Sequence, residues 1–346
     1  MKNIKDLLKA PSPKSKVFNA TIGKSLEGLQ SFYLTMAAWE NGVLDYTVTP
    51  KTYQDIAQQF GYHEIMTKMF CEALTGIGLL TKQDDKYQNS PLATVYLTRS
   101  STWCMLNTLN DMKTDAQLWS QLPVLLKNGP ISKANKNTFS DGRILRIAEH
   151  SEAGSVSNVT KIVTKSLDTK RWRRLLDVGG GHGLYSIAFA ALNPELDVYV
   201  FDQPSVTPIT HQYINAYAAK RVNVISGDYT VDSIGQGYDA IFSSFNATSS
   251  DPKFIPKLVE ALNPNGDLIL RRHKDGLRVN SLQTLDWNLV HYEGTKLGRH
   301  PHSSDKMVPK NDYISRLKDA GLKVLDNKAV DNMSDIIFAR KSPLKE

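Results

Sequence analysis

The chain has 346 residues, 41% apolar and 22% charged, with 21 Gly and 15 Pro. These values exclude disordered and fibrous classes and leave a globular protein long enough for two domains, because single cores stop growing near ~250–300 residues. The net charge of +7 is spread thinly, with 17 Lys and Arg against 13 Asp and Glu in residues 1–150 and 25 against 22 in 151–346, so no stripe marks a nucleic-acid or anionic-membrane partner.

The first residues, MKNIKDLLKAPSPKSK, lack the apolar core and cleavage site of a secretory signal, and no run approaches the ~20 apolar residues that span a bilayer. A cytoplasmic protein is expected. From Val17 to Val43 apolar residues recur at helical spacing (Leu26, Leu29, Phe32, Tyr33, Met36, Trp39), with Gly42 as a stop. A short helix around Ile56 to Phe60, a turn at Gly61, a longer helix carrying Ile65 to Ile77 and a hairpin across Asp84-Asp85 follow. Helix–turn–helix plus hairpin is a winged-helix order, which often serves DNA. Here the exposed side of the second helix offers Glu64, Lys68 and Glu72, a poor match to phosphates and base edges, so contact with a protein partner is the favoured use. Cys71 and Cys104 lie in apolar surroundings and form neither a CxxC pair nor a metal-ligand set.

After about residue 166 the pattern changes to short β-rich runs alternating with helices: Arg174–Val178, Val198–Phe201, Val222–Ser226, Ala240–Ser244, Leu268–Arg271, Leu322–Leu325 and Ile336–Ala339. Such alternation predicts an α/β fold with a mostly parallel sheet. The division expected is 1–150 for a helical, winged-helix-type domain and 151–346 for a Rossmann-like domain.

The strongest motif is RRLLDVGGGHGLYSIAFAALNPELDVYVFDQPSV. An apolar strand enters Gly179, Gly180, Gly181 and Gly183, and an apolar helix follows. Glycines at a strand-to-helix turn let the backbone approach a ligand closely, which points to a nucleotide-like cofactor. The spacing is not the G-x-G-x-x-G of dinucleotide enzymes, since Leu184 or Ser186 falls at the third position. It is Asp-x-Gly-x-Gly-x-Gly, with Asp177 at the strand end, Asp202 ending the next strand and Asp228 the one after, with Tyr229 beside it. Three acidic residues at three successive strand ends lie where such a sheet binds ligands, a carboxylate there can accept ribose hydroxyls, and a tyrosine can lie against a flat ring.

These blocks, together with ENGVLD, DIAQQFG, LTGIGLL, SGDY, EALNPNGDLIL and DAGLKV, resemble the small-molecule O-methyltransferase family that includes the plant phenolic, acetylserotonin and bacterial antibiotic-tailoring enzymes. The resemblance implies a homodimer joined through the N-terminal domain and a methyltransferase sheet whose final strand is antiparallel. It implies S-adenosylmethionine at the glycine turn, its ribose on Asp202, its adenine near Asp228 and Tyr229, and a polar contact from Ser244. The family's H-D-W-x-D-E block, which supplies a His base, is missing: FSSFNATSSDPKF puts Thr248 at the place of the His, and Arg272 stands in place of the supporting Glu. A threonine hydroxyl cannot act as a base near neutral pH.

Two explanations stand open. The acceptor ionises easily, so that positioning suffices, or another base has taken over. For the second, His291 is the first candidate, in the segment that lines the family's acceptor pocket with Trp287 and Leu289; a packed helical His is the alternative. His300 and His302 share that segment, in a Gly- and Pro-containing loop. The expected function is S-adenosylmethionine-dependent methylation of a small aromatic or polycyclic acceptor, on oxygen by family default. C-, S- or N-methylation, a cofactor-binding homologue without methyl transfer, and a winged-helix DNA regulator are the competitors. No metal, nucleic-acid or membrane partner is expected.

Overall fold

In the computed structural model, residue 5 and residues 8–133, 141–277, 280–292, 297–298 and 307–343 are described. The chain separates into two compact units, residues 1–109 and 110–346.

The first unit contains α1 (Ser15–Phe18), α2 (Lys24–Glu40), α3 (Val43–Tyr46), β1 (Lys51–Thr52), α4 (Tyr53–Phe60), α5 (Glu64–Gly76), β2 (Leu80–Gln83), β3 (Lys86–Asn89) and α6 (Pro91–Tyr96). Thr52 starts α4 with a capping box shared with Asp55. Left-handed Gly61 ends that helix, and Gly78 takes φ +80 just past α5. The β1-β3-β2 sheet includes a two-residue strand that hydrophobic patterning cannot flag. Its core gathers Trp39, Leu44, Ile56, Cys71, Leu74 and Tyr87. Burial pushes the Cys71 thiol up to about 12, so it stays protonated and inert.

α7 (Leu106–Ser120), α8 (Leu122–Asn128), β4 (Ile131–Lys133), α9 (Asp141–His150) and α10 (Val156–Ser166) lead into the sheet. The sheet unit then runs β5 (Arg174–Val178), α11 (Leu184–Leu192), β6 (Asp197–Asp202), α12 (Thr207–Ala216), β7 (Val222–Ser226), β8 (Tyr238–Ser244), α13 (Ile255–Ala261) and β9 (Leu262–His273). α14 (Ser281–Trp287), β10 (Val290–Tyr292), α15 (Lys310–Asp319), β11 (Leu322–Ala329) and β12 (Ser334–Lys341) complete it.

The seven strands are ordered β11-β12-β9-β8-β5-β6-β7. β5 through β9 pair in parallel, and β12 is antiparallel to both β9 and β11. Side chains alternate between two apolar layers: Leu175, Ala240, Phe242, Ile269, Ile336 and Phe338 face one, Leu176, Ile241, Leu268, Leu270 and Ile337 the other. This period of two is why the strands read as continuous apolar runs. The chain winds from β5 outward through β6 and β7, then crosses back to β8 and β9 on the other side. The carboxyl ends of β5 and β8 therefore flank a topological switch point, where open α/β sheets bind their ligands.

Candidate functional site

A cavity of about 510 Å³ opens at that switch point, bounded by the glycine turn after β5, the ends of β6, β8 and β9, and the C-terminal end of α9. Asp177, Gly179, Gly180, Gly181, Asp202, Tyr229 and Ser244 all line it.

A Cβ would clash at three of the turn's positions, at Gly183 with Thr210 Cγ2 at 2.9 Å. A Cβ on Gly180 would stand 2.7 Å from the Asp177 Cγ, and one on Gly179 2.7 Å from the Asn246 Nδ2. Gly181, at φ +57, has nothing within 4 Å of such a Cβ, so its backbone borders open space where a ligand can lie against it. The Asp202 carboxylate holds this arrangement by accepting the Gly181 N–H at 2.8 Å and the Gln203 N–H at 2.7 Å. A carboxylate has about four lone-pair sites, so both oxygens can still accept a hydroxyl.

Asp177 is buried and accepts from the Ser186 hydroxyl at 2.7 Å. Burial, with the charge of Asp202 as a further contribution, pushes its pKa up to about 7. Burial also raises the Asp202 pKa against two lowering backbone hydrogen bonds. Asp177 and Asp202 suit the cationic part of a guest, while Arg146 and Arg271, which also line the cavity, suit an anionic part. Asp177 keeps its proton in the folded chain up to about pH 7, whereas an unfolded aspartate releases it near ~3.9. The ligand-free protein should therefore lose stability as pH rises from about 4 to 7. Asp177→Asn should flatten that slope in pH-dependent urea melts.

His182, inside the turn, is buried, and burial lowers its pKa to about 4. Its Nδ1 accepts the Leu184 N–H at 3.1 Å, and its Nε2 lies 3.1 Å from Ser151 Oγ. The Ser151 hydroxyl donates to the Ile147 carbonyl, so the Nε2 proton points to Ser151. This histidine is neutral, with both nitrogens engaged.

Other sequence-predicted residues lie elsewhere. Asp228 is absent from the described cavity lining; hydrogen bonds from the Thr230 side chain and from the Thr230 N–H, the latter at 2.8 Å, lower its pKa. Thr248 is buried in a 3-10 turn, donates to Asn246 Oδ1 at 2.7 Å and lies 2.7 Å from Ser243 Oγ. Its carbonyl accepts the Tyr313 hydroxyl at 2.7 Å. His291 sits on β10, paired in parallel with β4 opposite Ser132. Leu289 is buried, its carbonyl accepting the Ile131 N–H. Trp287 is partly exposed with the Arg143 guanidinium 4.8 Å above its ring. Like Asp228, Thr248, His291, Leu289 and Trp287 are not among the described residues lining the cavity. His300 and His302 lie outside the described residues.

The cavity also contains residues that sequence reasoning did not single out: Phe245, Asn246, Arg271, Tyr185 and His150. Asn246 anchors the turn by donating to the Val178 carbonyl at 2.6 Å. Phe245 takes φ +57, a conformation that a bulky residue adopts only when its surroundings enforce it. Its ring stacks on His273 at 4.4 Å and carries the Arg271 guanidinium at 4.4 Å. The Ser- and Asn-rich run after β8 was the available signal for this corner. Among the described residues no group of three or more His, Cys, Asp or Glu is arranged to hold a metal. No helix of the described residues is long and apolar enough to cross a membrane.

The O-methyltransferase domain family matches residues 141–285, which span the glycine turn and the ends of β5 to β9. An uncharacterized protein of Methanocaldococcus jannaschii is 30% identical over 344 residues, covering 96% of this chain and 90% of that one. The N,N-dimethyltransferase OxyT of Streptomyces rimosus is 22% identical over 313 residues, 86% of this chain and 88% of that one. The crystal structure of human N-acetylserotonin methyltransferase in complex with S-adenosylmethionine has the same fold, with a TM-score of 0.68 and 19% identity over 96% of this chain and 99% of that one. With the glycine turn, two acidic strand ends and the switch-point cavity in place, the chain belongs to the S-adenosylmethionine-dependent O-methyltransferase family.

Proposed function

We propose that this enzyme moves the cofactor's methyl group to a small aromatic or polycyclic acceptor that ionises without help from an enzyme base, with oxygen as the default target. The carrying observation is the fate of Thr248, whose hydroxyl is committed to Asn246 and Ser243 inside the protein rather than to the cavity. S-adenosylmethionine supplies an activated methyl on a sulfonium, and in-line displacement then needs alignment and an electron pair on the acceptor. The residues assigned to hold it are Asp202 for the ribose, Tyr229 for the adenine, the Gly179–Gly181 backbone for the central portion and Asp177 for the ammonium. Asp228 shapes the adenine end indirectly, by fixing the turn that carries Tyr229.

The test is incubation with labelled cofactor and a panel of phenols, thiols, amines and alcohols graded in acidity. Turnover favouring the most acidic phenols supports the reading; equal turnover of weakly acidic alcohols contradicts it. N-methylation is the second reading, favoured by the name of the Streptomyces rimosus relative, and product fragmentation separates the two. Absence of S-adenosylhomocysteine with every acceptor, despite cofactor binding, would instead indicate a binding homologue.

Cofactor affinity should depend on pH. Asp177 is held near pH 7 by burial, and a bound cation favours its ionised form, so binding releases a proton below that pH. Affinity should rise between about pH 6 and pH 7 and level off above. Calorimetry across that range checks it, with Asp177→Asn expected to remove the slope.

Homodimerisation through the N-terminal domain, drawn at 1–150 in the sequence, belongs to the same proposal. Phe18, Ile22, Leu26, Leu29 and Tyr33 form one exposed apolar stripe at spacings of three and four. The helix–strand–helix–helix–hairpin order supports a winged-helix reading. Yet α5 exposes Ile65, Met66 and Met69, a surface suited to protein rather than DNA. Leu26→Glu with Leu29→Glu should convert a dimer into a monomer in sedimentation experiments. We also assign the enzyme to the cytoplasm.

A further inference from the structure

We propose that Arg271, with Tyr185 and Ser155, forms the site that takes the cofactor's carboxylate, an inference that rests on the placement of the adenosine portion given above. Arg271 lies at the carboxyl end of β9, in register with Ser244, and is 5% exposed. Its Nε donates to Ser334 Oγ at 3.2 Å, and its Nη1 donates to Ser155 Oγ at 3.0 Å and to Tyr185 Oη at 2.7 Å. Its Nη2 donates once, to Asp331 Oδ2 at 3.1 Å. A guanidinium has five N–H donors, so one on Nη2 has no acceptor among the described residues.

The two hydroxyls carry the argument further. Ser155 Oγ and Tyr185 Oη are 2.8 Å apart, so one donates to the other, and both already accept from Arg271. Whichever accepts in that pair keeps its own proton without a partner. The cluster therefore ends in two unassigned donors, one guanidinium N–H and one O–H, beside a fixed positive charge and on the wall of the cavity. A carboxylate, with two acceptor oxygens and a negative charge, is the chemical complement of that ending.

Strand order selects which carboxylate. From β7 to β9 the cavity wall presents Tyr229 after β7, Asp202 on β6, the glycine turn after β5, Ser244 on β8 and Arg271 on β9. A ligand with its adenosine at β6 and β7 leads its amino-acid end across β5 toward β8 and β9. Asp177, at the end of β5, meets the ammonium and Arg271 the carboxylate. The local backbone is shaped for this: Gly154, at φ +137, breaks the helical path and sets Ser155 at the start of α10.

The test compares S-adenosylhomocysteine with 5′-methylthioadenosine, which keeps the adenosine and thioether but lacks the amino-acid end. By calorimetry, Arg271→Met should weaken S-adenosylhomocysteine at least tenfold and change 5′-methylthioadenosine less than about twofold. Because Arg271 is buried, Tyr185→Phe and Ser155→Ala provide milder versions, each expected to weaken the first compound about three- to fivefold and spare the second. Equal losses for both compounds in folded variants, or no loss for either, overturns the Arg271 assignment alone. Wild-type protein that binds neither compound overturns the cofactor placement and this assignment together.

Discussion

Asp202→Ala is expected to weaken S-adenosylhomocysteine binding about 100-fold, close to 3 kcal/mol, because charge-assisted hydrogen bonds contribute ~1.5–3 kcal/mol each. The loss has two sources. One is the proposed acceptance of ribose hydroxyls. The other is visible in the structure: the Gly181 N–H at 2.8 Å loses the acceptor that fixes the glycine turn. Asp202→Asn should lose about tenfold, since its amide keeps one acceptor oxygen but brings N–H groups toward the backbone donors. Unlike the Arg271 variants, both changes should weaken 5′-methylthioadenosine as strongly as S-adenosylhomocysteine, since both ligands contain the ribose. Calorimetry with wild-type affinity for Asp202→Ala would contradict the placement.

The second large effect concerns stability. Asp267 is fully buried on β9, where it accepts from Trp172 Nε1 at 2.9 Å, from Arg340 Nε at 2.7 Å and from Arg171. Asp267→Ala leaves a buried indole N–H and two guanidinium groups without their acceptor, and removing one side of such a network costs about 3–5 kcal/mol. Arg171→Met should cost about 1 kcal/mol or less, since that side chain is about one-third exposed. Urea melts followed by tryptophan fluorescence report both, Trp172 being fully buried beside Asp267. A loss below about 1 kcal/mol for Asp267→Ala would contradict the network.

The sheet was legible in the sequence because its strands are buried on both faces and read as apolar runs. Arg174–Val178 and Val222–Ser226 match the expected spans, while β9 extends to Leu262–His273 and β12 to Ser334–Lys341. The cavity wall was legible because glycines and acids mark strand ends. The acceptor side was not, for physical reasons. β10 joins β4 across a separation from Ile131 to Val290, a pairing that no local pattern encodes, so His291 could not be placed from its neighbours. Arg271 and Arg272 are adjacent on one strand, and period two sends them to opposite faces. Which of them reaches the cavity depends on register, which a two-residue motif does not reveal.

Arg272 goes the other way. It is 1% exposed, its guanidinium lies 5.5 Å from the Tyr313 ring and donates to the Val308 carbonyl, and its Nε and Nη1 have no hydrogen-bond partner among the described residues. Tyr313 in turn donates to the carbonyl of Thr248, so the two departures from the family pattern share one aromatic neighbour. A single substitution at either position meets a mismatched companion: an imidazole at 248 would share Tyr313 with a buried cation rather than a carboxylate, and an acid at 272 would find no imidazole to orient. Installing a His and Glu dyad at these two places therefore takes both substitutions together, with the tyrosine-centred layer between them repacked.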